Sequence, residues 1–201
     1  MHTQHNDQSY LHRNTRELIV AGYSEMIREH IDLGWDAYYI NFMFNHIPGS
    51  RGARMDIMTG EVTRVHYILT RHIVRRPQAK EWRRLRPIFI GCHDLPVWKH
   101  DKELEVQTLI VNDGLHFNVV ALVPQPARPD MPIRVQFLLW GRQSRLKLPL
   151  DEHFLIKQRF YLNDALARIH ITPINRGTMA DYTLKAFKHG RVGPDSIQIW
   201  K

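Results

Sequence analysis

The chain has 201 residues, 43% hydrophobic and 24% charged, so it can bury a substantial core and is expected to form one domain. A formal net charge of +8, from 28 Lys and Arg against 20 Asp and Glu, predicts a surface that attracts polyanions such as nucleic acid. The single cysteine, Cys92, excludes an internal disulfide framework and a cysteine-rich zinc site.

The amino-terminal residues 1–14 are polar, have no period and lack the apolar core of a signal peptide, so we interpret them as a flexible tail. Residues 15–201 then form a single domain. No apolar run approaches the roughly 20 residues that cross a bilayer. We therefore expect a soluble, cytoplasmic protein that makes no membrane contact.

The remaining chain alternates between the periods of helices and strands. Helical spacing predicts helices over residues 16–33, 60–75 and 179–188, and a weaker one within 151–167. Alternation and β-forming residues predict strands over 35–45, 87–93, 114–123, 133–140 and 168–174, with a last strand near the carboxyl terminus. Residues 50–60 are expected to form a loop, and the prolines between 124 and 132 an exposed connection.

This order of elements predicts an α+β fold. After the first helix the pattern matches the βαββαβ plan of ferredoxin-like and RNA-recognition-like (RRM-like) domains. We expect an antiparallel sheet with helices on one face and an additional helix at the amino terminus.

The strand over 114–123 carries two polar side chains. Because side chains alternate along a strand, His116 and Asn118 lie on one face, and Phe117 and Val119 lie on the other. In a half-buried sheet such groups usually find hydrogen-bond partners. Both side chains can also bind metal ions, which makes them candidates for a metal site.

Basic residues cluster in three places that are candidates for nucleic-acid contact. Around Trp82 they form a run in which an aromatic ring is flanked by cations, although a solvated basic loop is the commoner use of such a run. The candidates are Arg51, Arg54, Lys80, Arg83, Arg84, Arg86 and Lys188.

Three stretches, taken in chain order, give a resemblance to a known family. They are the aromatic strand from Tyr38 to Asn45, the segment Leu115-His116-Phe117-Asn118, and the segment from Ala180 to Lys185, which contains Tyr182-x-x-Lys185. In this order they resemble the HUH endonuclease superfamily, which includes rolling-circle replication initiators (Rep proteins). Asn118 departs from the family, which has His or Gln at the matching position.

The resemblance implies metal-dependent nicking and strand transfer on single-stranded or hairpin DNA. Tyr182 would be the nucleophile and would form a phosphotyrosine intermediate, and Lys185 would favour the phenolate or neutralise phosphate charge. His116 and Asn118 would bind Mg2+ or Mn2+, with His93, or Asp94 beside it, as the third ligand. Host replication proteins are further expected partners.

Two alternatives remain open at this point. A catalytically degenerate Rep-like protein would bind or regulate nucleic acid without cutting it, and Asn118 motivates that hypothesis. An RRM-like RNA binder would stack bases on the aromatic residues of the first strand, namely Tyr38, Tyr39, Phe42 and Phe44.

Overall fold

The computed structural model describes residues 4–95, 111–125, 144–174 and 179–201. Its helices are α1 (Gln4–Asp32), α2 (Arg51–Ile73), α3 (Leu150–Tyr161), α4 (Met179–Thr183) and α5 (Lys185–Lys188). Its strands are β1 (Trp35–Phe44), β2 (Ile88–Asp94), β3 (His116–Pro124), β4 (Leu166–Pro173) and β5 (Gln198–Trp200). The strand predicted over 133–140, most of the proline-rich connection and the residues just before 179 lie outside the described ranges.

The strands form one sheet in the order β4-β1-β3-β2-β5, and each neighbouring pair is antiparallel. The first four strands in chain order, β1 to β4, follow the βαββαβ plan with α2 and α3, and β5 adds a fifth strand beside β2. The predicted α+β class with an antiparallel sheet is therefore confirmed. β3 lies at the centre, paired with β1 on one side and β2 on the other.

Helices cover both faces of this sheet, which differs from the expectation that they lie on one. The first face, which we call the apolar face, packs against α2 and α3 through Phe42, Phe117 and Val119. The second face packs against α1, α4 and α5. Its buried apolar strand residues are Ala37, Ile88, Ile90, Cys92, Val120 and Leu122. Since the two sets alternate along the same strands, both faces of the central strands are buried.

Two helices begin earlier than their sequence patterns predict. α1 begins at Gln4 and so includes most of the predicted tail, and α2 begins at Arg51, within the predicted loop. Gly52 and Gly60 lower the helix propensity of that segment and obscure its period. The Ser50 hydroxyl accepts a hydrogen bond from the Ala53 amide at 3.3 Å and caps the helix, while Met58 is fully buried.

A tight turn leads into β3. The predicted turn at Asn112-Asp113-Gly114 is present, and all three residues have positive φ. The buried Asn112 side chain accepts a hydrogen bond from the Ile47 amide and donates one to the Asn45 carbonyl, both at 2.8 Å. These bonds fix the start of β3 against the end of β1.

Gly91 allows β2 and β3 to pair closely. A Cβ atom at this position would lie 2.2 Å from the backbone oxygen of Asn118. The resulting register places Asp94 opposite His116 and Cys92 opposite Asn118. In the described part of the chain, no helix is long and apolar enough to cross a membrane.

Candidate functional site

A buried carboxylate lies at the centre of the polar cluster on the second face. Asp94 ends β2, and its side chain is fully buried. Its Oδ2 atom lies 2.8 Å from Lys185 Nζ, 2.9 Å from Asn118 Nδ2 and 3.2 Å from His116 Nε2. Burial alone would raise the pKa of Asp94, but the hydrogen bonds and positive charges of His116 and Lys185 hold it below its ordinary value. The carboxylate is therefore ionised at neutral pH.

His116 is oriented by the turn that precedes β3. Its Nδ1 atom lies 2.9 Å from the Gly114 carbonyl, and a carbonyl only accepts, so Nδ1 carries a hydrogen. The other ring nitrogen, Nε2, points at Asp94. The backbone contact at Nδ1 is the usual support of a metal-binding histidine.

Asn118 links the carboxylate to the aromatic strand. Its Nδ2 donates to Asp94, while its Oδ1 accepts from Tyr39 Oη at 2.6 Å and from Asn41 Nδ2 at 2.8 Å. Burial is the main reason that the pKa of Tyr39 is raised, so its hydroxyl stays protonated and can donate. Because two donors already occupy the amide oxygen, this orientation of Asn118 positions Asp94 and does not present an oxygen to a metal, which corrects its predicted role.

Tyr182 and Lys185 lie over this cluster. The predicted helix over 179–188 is present as two short helices separated at Leu184, whose side chain is buried. Lys185 Nζ lies 4.7 Å from the centre of the Tyr182 ring, and that ring packs edge-on against Tyr39 at 5.3 Å. Tyr182 is 49% exposed, so part of its side chain reaches solvent while its ring packs above the cluster.

His93 lies on the other face of the sheet, away from this cluster. Its Nε2 is 2.9 Å from the Met55 carbonyl, and its ring packs against Phe117 at 4.5 Å. Burial lowers its pKa, so the ring is neutral at pH 7. The prediction of His93 as third ligand is thus corrected, since neighbouring strand residues alternate in direction and Asp94 is the one that joins His116.

Most of the predicted basic residues lie apart from Tyr182, and the exception is Lys188, on α5. Lys80, Arg83 and Arg84 are exposed on a 3-10 helix that precedes β2, whereas Asp94 ends that strand about 20 Å away, at roughly 3.3 Å per residue. Other candidates have partners nearby: Arg54 binds Asp113 at 2.7 Å, Lys188 binds Asp181 at 3.1 Å, and Arg86 donates to the Pro77 carbonyl. Arg51 is exposed in the first turn of α2, on the apolar face.

No protein-family model, curated protein or solved structure matches the chain. Within the residues that the structure describes, no group of three or more His, Cys, Asp or Glu side chains is arranged to hold a metal ion. The function must therefore be inferred from the cluster itself. It combines an exposed phenol, an ammonium group, an imidazole and a buried carboxylate, a set suited to binding and attacking an anionic ester.

Sequence reasoning found Tyr182, Lys185, His116 and Asn118, but it missed Tyr39 and Asn41 as their polar neighbours. These two residues and Asn118 share one face because β1 and β3 pair with Asn41 opposite Asn118. Strand alternation places Tyr39 and Asn41 on the same side of β1. The pairing register of the two strands, which a single sequence does not contain, is the missing information.

Proposed function

We propose that the protein cleaves and rejoins phosphodiester bonds of single-stranded or hairpin DNA, with Tyr182 as the nucleophile. The observation that carries this proposal is the position of Tyr182 and Lys185 above the cluster of Asp94, His116 and Asn118. These residues come from β2, β3 and the late helices, and they meet on one face of the sheet. The net positive charge of the chain suits a polyanionic substrate.

The reaction follows from the groups present. Tyr182 Oη attacks the phosphorus atom, a phosphotyrosyl bond forms, and the bond from phosphorus to the 3'-oxygen breaks. The phenolic proton leaves to solvent, which reaches Tyr182, and the departing 3'-oxygen takes up a proton to become a hydroxyl. Attack of a 3'-hydroxyl on the phosphotyrosyl bond reverses these steps and rejoins a strand.

Lys185 and Asp94 organise the charge around the tyrosine. The ammonium lies beside the Tyr182 ring, where it can pair with a phosphate oxygen as negative charge develops. Asp94 holds that ammonium in place, and Asn118 and Tyr39 hold Asp94. Asp94 is therefore a positioning residue for the attacking side of the site.

The cluster contains two side-chain atoms that could bind a divalent cation. Among the described residues Asp94 Oδ1 is buried and has no hydrogen-bond partner, and His116 Nε2 faces the same carboxylate. Mg2+ is commonly held by one or two protein groups, with water and phosphate completing its shell. Mg2+ or Mn2+ bound by Asp94 and His116 would neutralise charge on the scissile phosphate.

A second candidate is a nucleic-acid-binding protein that does not cut. The observation that favours it is that Tyr39 and Asn41 both donate hydrogen bonds to the Asn118 Oδ1 atom, which leaves fewer of the predicted ligands free to bind a metal. The RRM-like alternative loses its support, because the aromatic residues that would stack bases, Tyr38, Tyr39, Phe42 and Phe44, are all buried beneath helices.

The proposal is tested by trapping the intermediate. The full chain is incubated with labelled single-stranded oligonucleotides and Mn2+, and a covalent adduct is sought on a denaturing gel. We expect an adduct from the wild type and from Tyr67→Phe, a matched control at another exposed tyrosine, and none from Tyr182→Phe. An adduct that survives Tyr182→Phe would overturn the assignment, and binding without any adduct would favour the non-cutting alternative.

A further inference from the structure

A pocket of about 350 Å3 lies near the carboxyl end of α2, on the apolar-face side of the sheet and so away from Tyr182. It is bounded by the last turn of α2, by α3 and by the segment that precedes α3. The Arg145 amide donates to the Ile73 carbonyl at 2.8 Å, which ties that segment to the end of α2. The lining residues are Arg71, His72, Arg145, Lys147, Leu148, His153, Lys157 and Phe160.

The charge of this pocket favours an anion. Four lining side chains are cations, and none of the described residues that line it is acidic. Burial, followed by the charges of Lys157 and Arg145, lowers the pKa of His72. These cations thus make protonation of the neighbouring imidazole unfavourable, and the same field attracts a phosphate group.

The base of the pocket is a compact polar cluster. His72 Nδ1 lies 2.8 Å from Tyr161 Oη and 3.2 Å from His153 Nε2, and His153 Nε2 lies 2.9 Å from the same hydroxyl. Burial, then His72 and Lys157, lower the pKa of His153 to about 4, so both rings are neutral at pH 7. The positive charge of the pocket therefore comes from its Arg and Lys side chains, and the cluster holds the two helices at a fixed spacing.

An exposed aromatic ring lies at the edge of the pocket. Phe160 is 44% exposed, and its ring centre lies 5.0 Å from the Arg159 guanidinium and 5.8 Å from Lys157 Nζ. Single-stranded nucleic acids are commonly bound by cations that follow the backbone and by aromatic rings on which bases stack. Inorganic phosphate would use the cations but not the ring.

From these observations we propose that the pocket binds single-stranded nucleic acid, with a backbone phosphate between Arg145 and Lys157 and an adjacent base against Phe160. It is a second contact, separated from Tyr182 by the sheet. Binding of a strand in this pocket does not require Tyr182. The inference rests on the proposed function only where it takes the bound strand to be the substrate as well.

The test is fluorescence anisotropy of the full chain with a labelled single-stranded oligonucleotide over a range of salt concentrations. The double variant Arg145→Gln/Lys157→Gln removes two exposed cations. We expect at least tenfold weaker binding and a salt slope reduced by about 0.7, because one phosphate contact of the single strand is lost. Phe160→Ala should weaken binding at least about fivefold while leaving the salt slope unchanged.

The matched control is Arg13→Gln/Arg28→Gln, which makes the same change in net charge on exposed positions of α1. Equal affinities of the pocket variant and this control would overturn the proposal. If inorganic phosphate displaced the oligonucleotide and Phe160→Ala bound it as tightly as the wild type, the proposal that a base stacks on Phe160 would be wrong. Loss of binding in the pocket variants, with no adduct from the wild type, would remove the proposed nicking function and leave this site standing.

Discussion

His93 and Asp94 are adjacent on β2, but they lie on opposite faces of the sheet and in opposite environments. His93 is a neutral ring packed on Phe117, with the Met55 carbonyl and the Thr59 hydroxyl as its partners. Asp94 is an ionised carboxylate that gathers an ammonium, an imidazole and an amide. The two residues are buried to nearly the same extent, so the difference in their charge states arises from the partners that each face of the sheet supplies.

The same division extends along the central strands. On the apolar face, Phe42, Phe117 and Val119 are fully buried and form part of the main core. On the second face, Asn118 and Asp94 interrupt a smaller apolar layer. We infer that the apolar face supplies most of the stability. On the second face, some buried positions hold polar and charged side chains in place and add less apolar burial.

The largest expected effect tests the contribution of the apolar face. Phe117→Ala should reduce the free energy of unfolding by about 3–5 kcal/mol, because it removes a fully buried ring that packs on His93 and Trp200. Urea denaturation measures this change. Tyr182→Phe on the second face should change the free energy of unfolding by no more than about 0.5 kcal/mol. A similar loss of stability in both variants would contradict the division between the two faces.

The next effect compares the adjacent residues directly. Asp94→Asn should slow adduct formation by about 10- to 100-fold, because Lys185 and His116 lose the charge that orients them. His93→Gln, one residue away on the other face, should change the rate by no more than about twofold. Rates are read from a time course on denaturing gels, and equal losses in the two variants would show that the faces are not separable.

A smaller and gradual effect is expected from pH. Burial lowers the pKa of His66 and of His93, so the unfolded chain binds more protons, and stability falls as pH drops below about 6.5. The pKa of Asp94 is also lowered, so its contribution is present above about pH 4 and is lost below it. Each pKa unit corresponds to about 1.4 kcal/mol.

The two windows can be separated by denaturation at several pH values. A His66→Phe variant should flatten the decrease that begins below about pH 6.5, and Asp94→Asn should flatten only the decrease below about pH 4. If Asp94→Asn changed the decrease near pH 6, the assignment of the windows to the two faces would be wrong.

Much of the fold followed from local sequence patterns. The aromatic and β-branched runs of β1 and β3, and the turn residues Asn112 to Gly114, predicted strands near their observed bounds. The βαββαβ order then predicted the sheet. The start of α2 was missed because Gly52 and Gly60 weaken its period, and tertiary packing of Met58 offsets their cost.

The candidate site was predictable only in part, because it depends on strand register and on contacts distant in sequence. Strand alternation gives relative directions within β2, but it does not say whether His93 or Asp94 shares the face of His116. The cluster of His72, His153 and Tyr161 joins two helices more than 80 positions apart, since its contacts span 81 and 89 positions. No local pattern connects these residues.

Gly91 will behave like an active-site position in any selection for function, although it carries no chemical group. Its hydrogen atoms face the Asn118 backbone where a methyl group would collide, so every other amino acid must force β2 away from β3. That displacement would separate Asp94 from His116, which pair three positions further along the two strands. In a mutational scan, only glycine should be accepted at position 91. The requirement there would be the spacing between β2 and β3, not a reactive side chain.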